Sequence, residues 1–194
     1  MAGKTTRAVS REEFEKIIHT IRTGFVLPSG QRVRPNERIA TALTLEANLG
    51  MRVGDILNLK LQDIVLENGR YRLDIVEQKT GKKRTFTVPT DIYIYLQNYA
   101  LSQGLKPQHR LFPLGARTVQ HHLQMVCEYL GIEGCSTHSF RKMFAQEIYT
   151  NNDYNIELVR TLLQHSSTAI TQHYIGIAPK QVEQALQNHI FLPI

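Results

Sequence analysis

A mainly helical fold carrying one small three-stranded antiparallel sheet, an α+β arrangement, is what this sequence predicts. Apolar residues recur every three to four positions at both ends of the chain, the signature of helices that bury one face. Between those regions lie three β-prone runs, divided by Asn68-Gly69 and Thr80-Gly81, dipeptides that favour hairpin turns. No internal repeat and no low-complexity segment interrupts this order.

Taken in order, the first helix is expected from Ser10, whose spacing to Glu13 suits a capping box, with Phe14, Ile17, Ile18 and Ile21 on one face and Gly24 as the stop. Residues 25–35, with Pro28, Gly30 and Pro35, read as a loop. Asn36 is expected to cap a second helix presenting Ile39, Leu43 and Ala47, ended by Gly50. A short helix over 53–59 leads into strands over 63–67, 70–78 and 84–89. Helical spacing returns from Thr90, then through Val119, Leu123, Val126 and Leu130, over 139–149, 156–164 and 168–175, and from Lys180 to His189.

With 194 residues and 42% hydrophobic content the chain can bury one core, so a single domain over 10–194 is expected behind a flexible basic segment over 1–9. Lys plus Arg number 23 against 17 Asp plus Glu, giving net charge +6, and the pI is near 9.4. That balance favours a polyanionic partner, with nucleic acid the leading candidate. The two cysteines, Cys127 and Cys135, suit buried thiols in a reducing cytosol better than a disulfide framework. No apolar run approaches the roughly 18 residues of a membrane span, so a soluble cytoplasmic protein without a membrane partner is expected.

The residues able to do chemistry are dispersed. Gly50-Met51-Arg52-Val53-Gly54-Asp55 sets Arg52 at a helix start, with the carboxylate of Asp55 three positions on and able to steady it. Lys79 lies where a strand meets a turn, followed by Lys82, Lys83 and Arg84, all suited to phosphate contact at a hairpin tip. Thr137-His138-Ser139-Phe140-Arg141 puts an imidazole and a guanidinium on one helical face. His165 precedes Tyr174 by nine residues across a turn. His121-His122 with Cys127 lacks the further ligands a zinc site needs, and no acidic cluster or glycine-rich phosphate loop is present, so neither metal nor cofactor is expected.

These blocks resemble the tyrosine recombinase, or phage integrase, family, whose signatures are Gly-Leu-Arg with a nearby Ser-Glu, a hairpin lysine, His-x-x-Arg, and Leu-Gly-His ahead of a tyrosine nine residues on. The similarity runs from about Arg11 to Leu186. Met51 stands for the usual leucine, Gly54-Asp55 for Ser-Glu, and Gln164 for the usual glycine. The resemblance implies the integrase catalytic-domain fold. It makes Arg52 the first active-site arginine, Lys79 the hairpin lysine, His138 and Arg141 the central pair, His165 the histidine-or-tryptophan position and Tyr174 the nucleophile. It further implies cleavage and rejoining of double-stranded DNA through a 3′-phosphotyrosine, without metal or ATP, by a homotetramer on synapsed DNA that is a monomer or weak oligomer when free. A bacterial or phage-encoded, nucleoid-associated enzyme of integration, excision, inversion or resolution would fit.

In that chemistry Arg52 and Arg141 would neutralise the phosphate oxygens, since each guanidinium can grip two at once. His138 is the candidate base for the phenol, Lys79 the candidate acid for the leaving 5′ oxygen and His165 a phosphate donor, with the two histidines exchangeable. The apolar tail over about 178–194, with Val182, Leu186 and Ile190, packs on its own domain or, as the resemblance suggests, docks in trans on a neighbouring protomer. Most members carry an amino-terminal domain that completes a clamp on DNA. Here about ten residues precede the catalytic part, as in short forms such as the fimbrial-switch invertases or in a fragment of a longer enzyme. The competing readings are a catalytically idle DNA-binding regulator of the same fold and a type IB topoisomerase.

Overall fold

A computed structural model describes residues 6–76, 81 and 83–176, apart from the side chains of Arg84, Phe86 and His173. The chain packs as two compact units, 1–144 and 145–194, with one long helix running through the boundary.

In the first unit, α1 (Arg11–Thr23) starts where Ser10 and Glu13 form the reciprocal capping box, and it buries Ile17, Ile18 and Ile21. Of the segment expected to be flexible, residues 6–9 form a strap. Arg7 makes a two-pronged ion pair with Glu13 at 2.5 and 2.7 Å and donates its Nε to the Glu133 carbonyl at 3.0 Å, while Val9 is buried. Arg7 holds the Glu13 carboxyl down at about 2, far below the ordinary carboxylate value.

The expected loop over 25–35 contains a two-stranded hairpin, β1 (Phe25–Val26) against β2 (Arg32–Val33), with Phe25 paired to Val33 and both buried. Strands of two residues are too short to show a period, so the sequence pattern passes over them. Helix α2 (Glu37–Leu49) is capped by the Asn36 side chain, which accepts from the Ile39 amide at 3.1 Å. Helix α3 stops at Val53–Ile56, short of the expected Leu59. Past Ile56 the turn tightens, with the Asn58 amide donating to the Asp55 carbonyl at 3.2 Å and the Leu59 amide to the Ile56 carbonyl at 3.0 Å. The Leu57 carbonyl accepts from the Arg110 guanidinium at 2.8 and 3.1 Å, and the Leu59 carbonyl from the Leu111 amide at 2.8 Å.

The three-stranded sheet follows, with order β3 (Ile64–Glu67), β4 (Arg70–Val76), β5 (Lys83–Val88) and both pairings antiparallel. Leu73 pairs with Ile64 and faces the core, while its neighbours Arg72 and Asp74 face solvent, the period-two pattern of a half-buried sheet. Helix α4 (Thr90–Ser102) lies against β4, and the Tyr71 and Tyr93 rings stack with centroids 3.8 Å apart. Helix α5 (Ala116–Leu130) buries Val119, Leu123 and Val126 in the shared core and packs on α1.

Helix α6 (Thr137–Asn151) begins in the first unit and continues into the second. There α7 (Ile156–Leu163), capped by Asn155, packs with α8 (Thr168–Ile175), capped by Ser167, and Val159, Leu163 and Ile175 are buried. The expected helix over 180–189 and the tail over 178–194 lie outside the described residues. No helix among the described residues is long and apolar enough to cross a membrane.

Candidate active site

Arg52 and Arg141 stand 89 positions apart in sequence, and Arg141 bonds the backbone of Gly50, two residues before Arg52. Gly50 closes α2 with φ of 58°, and its amide donates back to the Glu46 carbonyl at 3.0 Å. That left-handed turn aims the Gly50 carbonyl at Arg141, whose Nη1 donates to it. A side chain on Gly50 would also run into the Phe144 ring, so the position demands glycine on two counts. Two residues on, half-buried Arg52 is the N-cap of α3, and the Asp55 amide donates to the Arg52 carbonyl at 2.9 Å. The Asp55 side chain is buried.

Arg141 is fully buried, one helical turn beyond exposed His138 on α6. The α6 start is pinned by Ser139, whose Oγ accepts from the Ser136 amide at 3.0 Å. Asp55 also lines a cavity of about 230 Å³ with Asn58, Asp63, Ile75 and Val76. Val76, which ends β4, precedes Lys79 by three positions in sequence. Lys79 and Lys82 lie outside the described residues, as does the side chain of Arg84, while Lys83 is exposed at the start of β5 opposite Val76. On the outward sheet face a second cavity of about 490 Å³ is lined by Glu67, Asn68, Arg70, Arg72, Thr85 and Thr87.

In the second unit His165 and Tyr174 are neighbours, with ring centroids 4.6 Å apart and planes inclined at 59°. His165 is buried and Tyr174 half-buried. The backbone under His165 is fixed by Gln164, which ends α7 in the left-handed conformation with φ of 52°, and by an exchange with Arg160: the His165 amide donates to the Arg160 carbonyl at 3.0 Å, and Arg160 Nη1 returns a bond to the His165 carbonyl at 3.3 Å.

The motif glycine Gly50 supplies the carbonyl described above, and two further groups outside the motifs, Glu46 and Thr171, belong to this picture. Glu46, one turn earlier on α2, is fully buried, and neither carboxyl oxygen meets a full hydrogen-bond partner among the described residues. Burial pushes its pKa well above the carboxylate range, against the opposing pull of Arg141 and, more weakly, of the Val53 amide. Its sequence signal is a charge on the stripe that carries Ile39 and Leu43. Thr171 is fully buried beside His165, three positions ahead of Tyr174. His121 is exposed while His122 is buried, with its pKa lowered by burial and by the neighbouring His121, and no group of three or more metal-ligating side chains occurs among the described residues.

Comparison with known proteins agrees on one family. Residues 7–181 match the phage integrase family. The tyrosine recombinase XerA of Pyrococcus furiosus is 26% identical over 195 residues, covering 94% of this chain and 61% of the relative. The probable integrase/recombinase YoeC of Bacillus subtilis is 30% identical over 138 residues, covering 67% of this chain and 72% of its own. Among solved structures, the XerH site-specific recombinase in its post-cleavage complex with a palindromic difH substrate superposes with a TM-score of 0.72 at 21% identity, over 96% of this chain and 54% of that one. The catalytic domain of bacteriophage HP1 integrase superposes with a TM-score of 0.64 at 18% identity, over 95% of both chains. This chain thus spans about six tenths of the XerA relative and about half of the XerH chain, whereas it matches the HP1 catalytic domain nearly end to end. From the match over residues 7–181, the chain belongs to the phage integrase family and has the fold of a tyrosine recombinase catalytic domain.

Proposed function

We propose that this chain is the catalytic domain of a site-specific DNA recombinase that cuts and rejoins strands through a 3′-phosphotyrosine on Tyr174. The observation that carries the reading is the Arg141–Gly50 bond, which ties one candidate arginine to the turn holding the other. The nearness of His165 and Tyr174 supports it from the second unit.

In this reading the Tyr174 oxygen attacks a backbone phosphorus in line with the bond to the 5′ oxygen. The phosphorus–tyrosine bond forms as the phosphorus–O5′ bond breaks. The phenol proton passes to His138, with His165 as the exchangeable alternative, and the departing 5′ oxygen takes a proton from Lys79. Arg52 and Arg141 hold the non-bridging oxygens, whose charge grows in the transition state. Two permanent cations, a lysine and two imidazoles carry enough positive charge for the reaction to need no metal or ATP. The reverse attack by a 5′ hydroxyl reseals the strand, so no bond energy is lost between cleavage and ligation. Lys82, Lys83 and Arg84 would bind phosphates beside the cleaved bond, and assembly as a tetramer on paired sites, with the tail over 178–194 docked in trans, belongs to the same proposal.

The test is incubation with a pool of nicked duplexes of randomised sequence, whose short strand diffuses away after cleavage. Wild type should trap a covalent adduct in the presence of EDTA, and Tyr174→Phe should trap none. Binding of duplex without any adduct would identify an idle regulator instead. Relaxation of any supercoiled plasmid without site preference would identify a topoisomerase.

A further inference from the structure

The imidazole of His165 is fastened by a side chain to which no role attaches in the family motifs above. Thr171 Oγ1 lies 3.1 Å from His165 Nδ1 and 3.4 Å from the carbonyl oxygen of Ser167. A threonine hydroxyl has one proton, so it can donate to only one of these two acceptor positions. A helical threonine commonly gives that proton to the carbonyl four residues back, here Ser167, and Oγ1 then accepts a proton from the ring. With this polarity Nδ1 stays protonated in the neutral imidazole. Both Thr171 and His165 are buried, at 0% and 6% exposure, so bulk water is a poor substitute for this bond.

We propose that Thr171 is a positioning residue for His165: its hydroxyl, anchored on the Ser167 carbonyl, takes the Nδ1 proton and fixes both the rotation and the tautomer of the imidazole beside Tyr174. Which nitrogen of a histidine acts outward is set by the bond the other nitrogen makes. With Nδ1–H held, Nε2 is the nitrogen that gains the second proton, and the resulting imidazolium can donate to a phosphate oxygen without turning. The catalytic consequence rests on the recombinase reading. The tautomer assignment does not.

The experiment compares wild type, Thr171→Val and Thr171→Ser in the full chain. Nitrogen-15 NMR of labelled histidine reads the tautomer of neutral His165, and single-turnover adduct formation on the nicked duplexes reads the chemistry. Wild type should show protonated Nδ1. Thr171→Val, nearly the same shape without the hydroxyl, should lose that signature and slow adduct formation about tenfold, the scale of one hydrogen bond in a transition state, with duplex Kd unchanged. Thr171→Ser should restore both. In a His165→Gln background Thr171→Val should have no further effect on the rate, because the two act through one bond.

An unprotonated Nδ1 in wild type, an unchanged tautomer in Thr171→Val, or equal slowing with and without His165 would each overturn the assignment. Should Thr171→Val fail to fold, Thr171→Ser decides, because loss of the signature in a variant that keeps the hydroxyl contradicts the proposal. Failure of wild type to form any adduct would remove the recombinase reading, while the NMR signature would still test the Thr171 assignment.

Discussion

Glu46 brings a carboxyl group into the core where a lone charge would be costly, and burial raises its pKa, favouring the neutral form. Replacing it with a side chain of similar volume and no polar atoms should therefore help the fold: Glu46→Met is expected to stabilise by about 1–3 kcal/mol at pH 7, measured by urea unfolding. The pH dependence has a definite sign. Above the unfolded carboxylate pKa of about 4.3 the unfolded chain sheds a proton that the native state retains, so wild-type stability falls as pH rises. The advantage of Glu46→Met should grow from pH 4 to pH 7, and a constant advantage would refute a raised pKa for Glu46. Arg52, His138, Arg141, His165 and Tyr174 were legible as residues because each sits in a short local pattern. The bond from Arg141 to Gly50 was not, since its partners lie 91 positions apart and one of them is a backbone oxygen. Glu46 left a faint trace, as a charge on an apolar stripe, whereas Thr171 left none.

Among the elements, the capped helices were read to within a residue or two at Ser10 and Asn36, because a cap is a local bond between residues three apart. The reading fell short at α3, where the ladder tightens to three-residue steps at Asn58 and Leu59 and the following carbonyls go to Arg110 and Leu111, partners some fifty positions away that no local pattern announces. The α7–α8 turn joins the two kinds of information. Gln164 stands where the family pattern has glycine, and its φ of 52° shows the physical reason for that glycine. A residue with a Cβ pays about 1 kcal/mol to sit there. Gln164→Gly should relieve this strain and, after allowance for the greater freedom of the unfolded chain, stabilise by about 0.5 kcal/mol. Thermal unfolding should show a small upward shift in Tm, and a clear fall would mean that the Gln164 side chain makes contacts worth more than the strain.

For the molecule as a whole, a net charge of +6 predicts duplex binding that weakens steeply with salt, as counterions return to the released phosphates. The charges are not equivalent. Arg72 is engaged by Glu67 at 2.8 Å, whereas Lys83 stands exposed at the start of β5. Lys83→Ala should lower the magnitude of the log Kd against log salt slope by about 1, one phosphate contact fewer, in a fluorescence-anisotropy titration. An unchanged slope would place Lys83 away from the DNA. The strap over residues 6–9 has its own consequence at this scale. The Arg7 amide donates to the Gly134 carbonyl at 3.0 Å, and the Thr6 carbonyl accepts from Lys142 Nζ at 2.5 Å. Thr6 is thereby held beside the root of the helix bearing His138 and Arg141, which makes Thr6 itself a natural seat for a fluorescent reporter of events there.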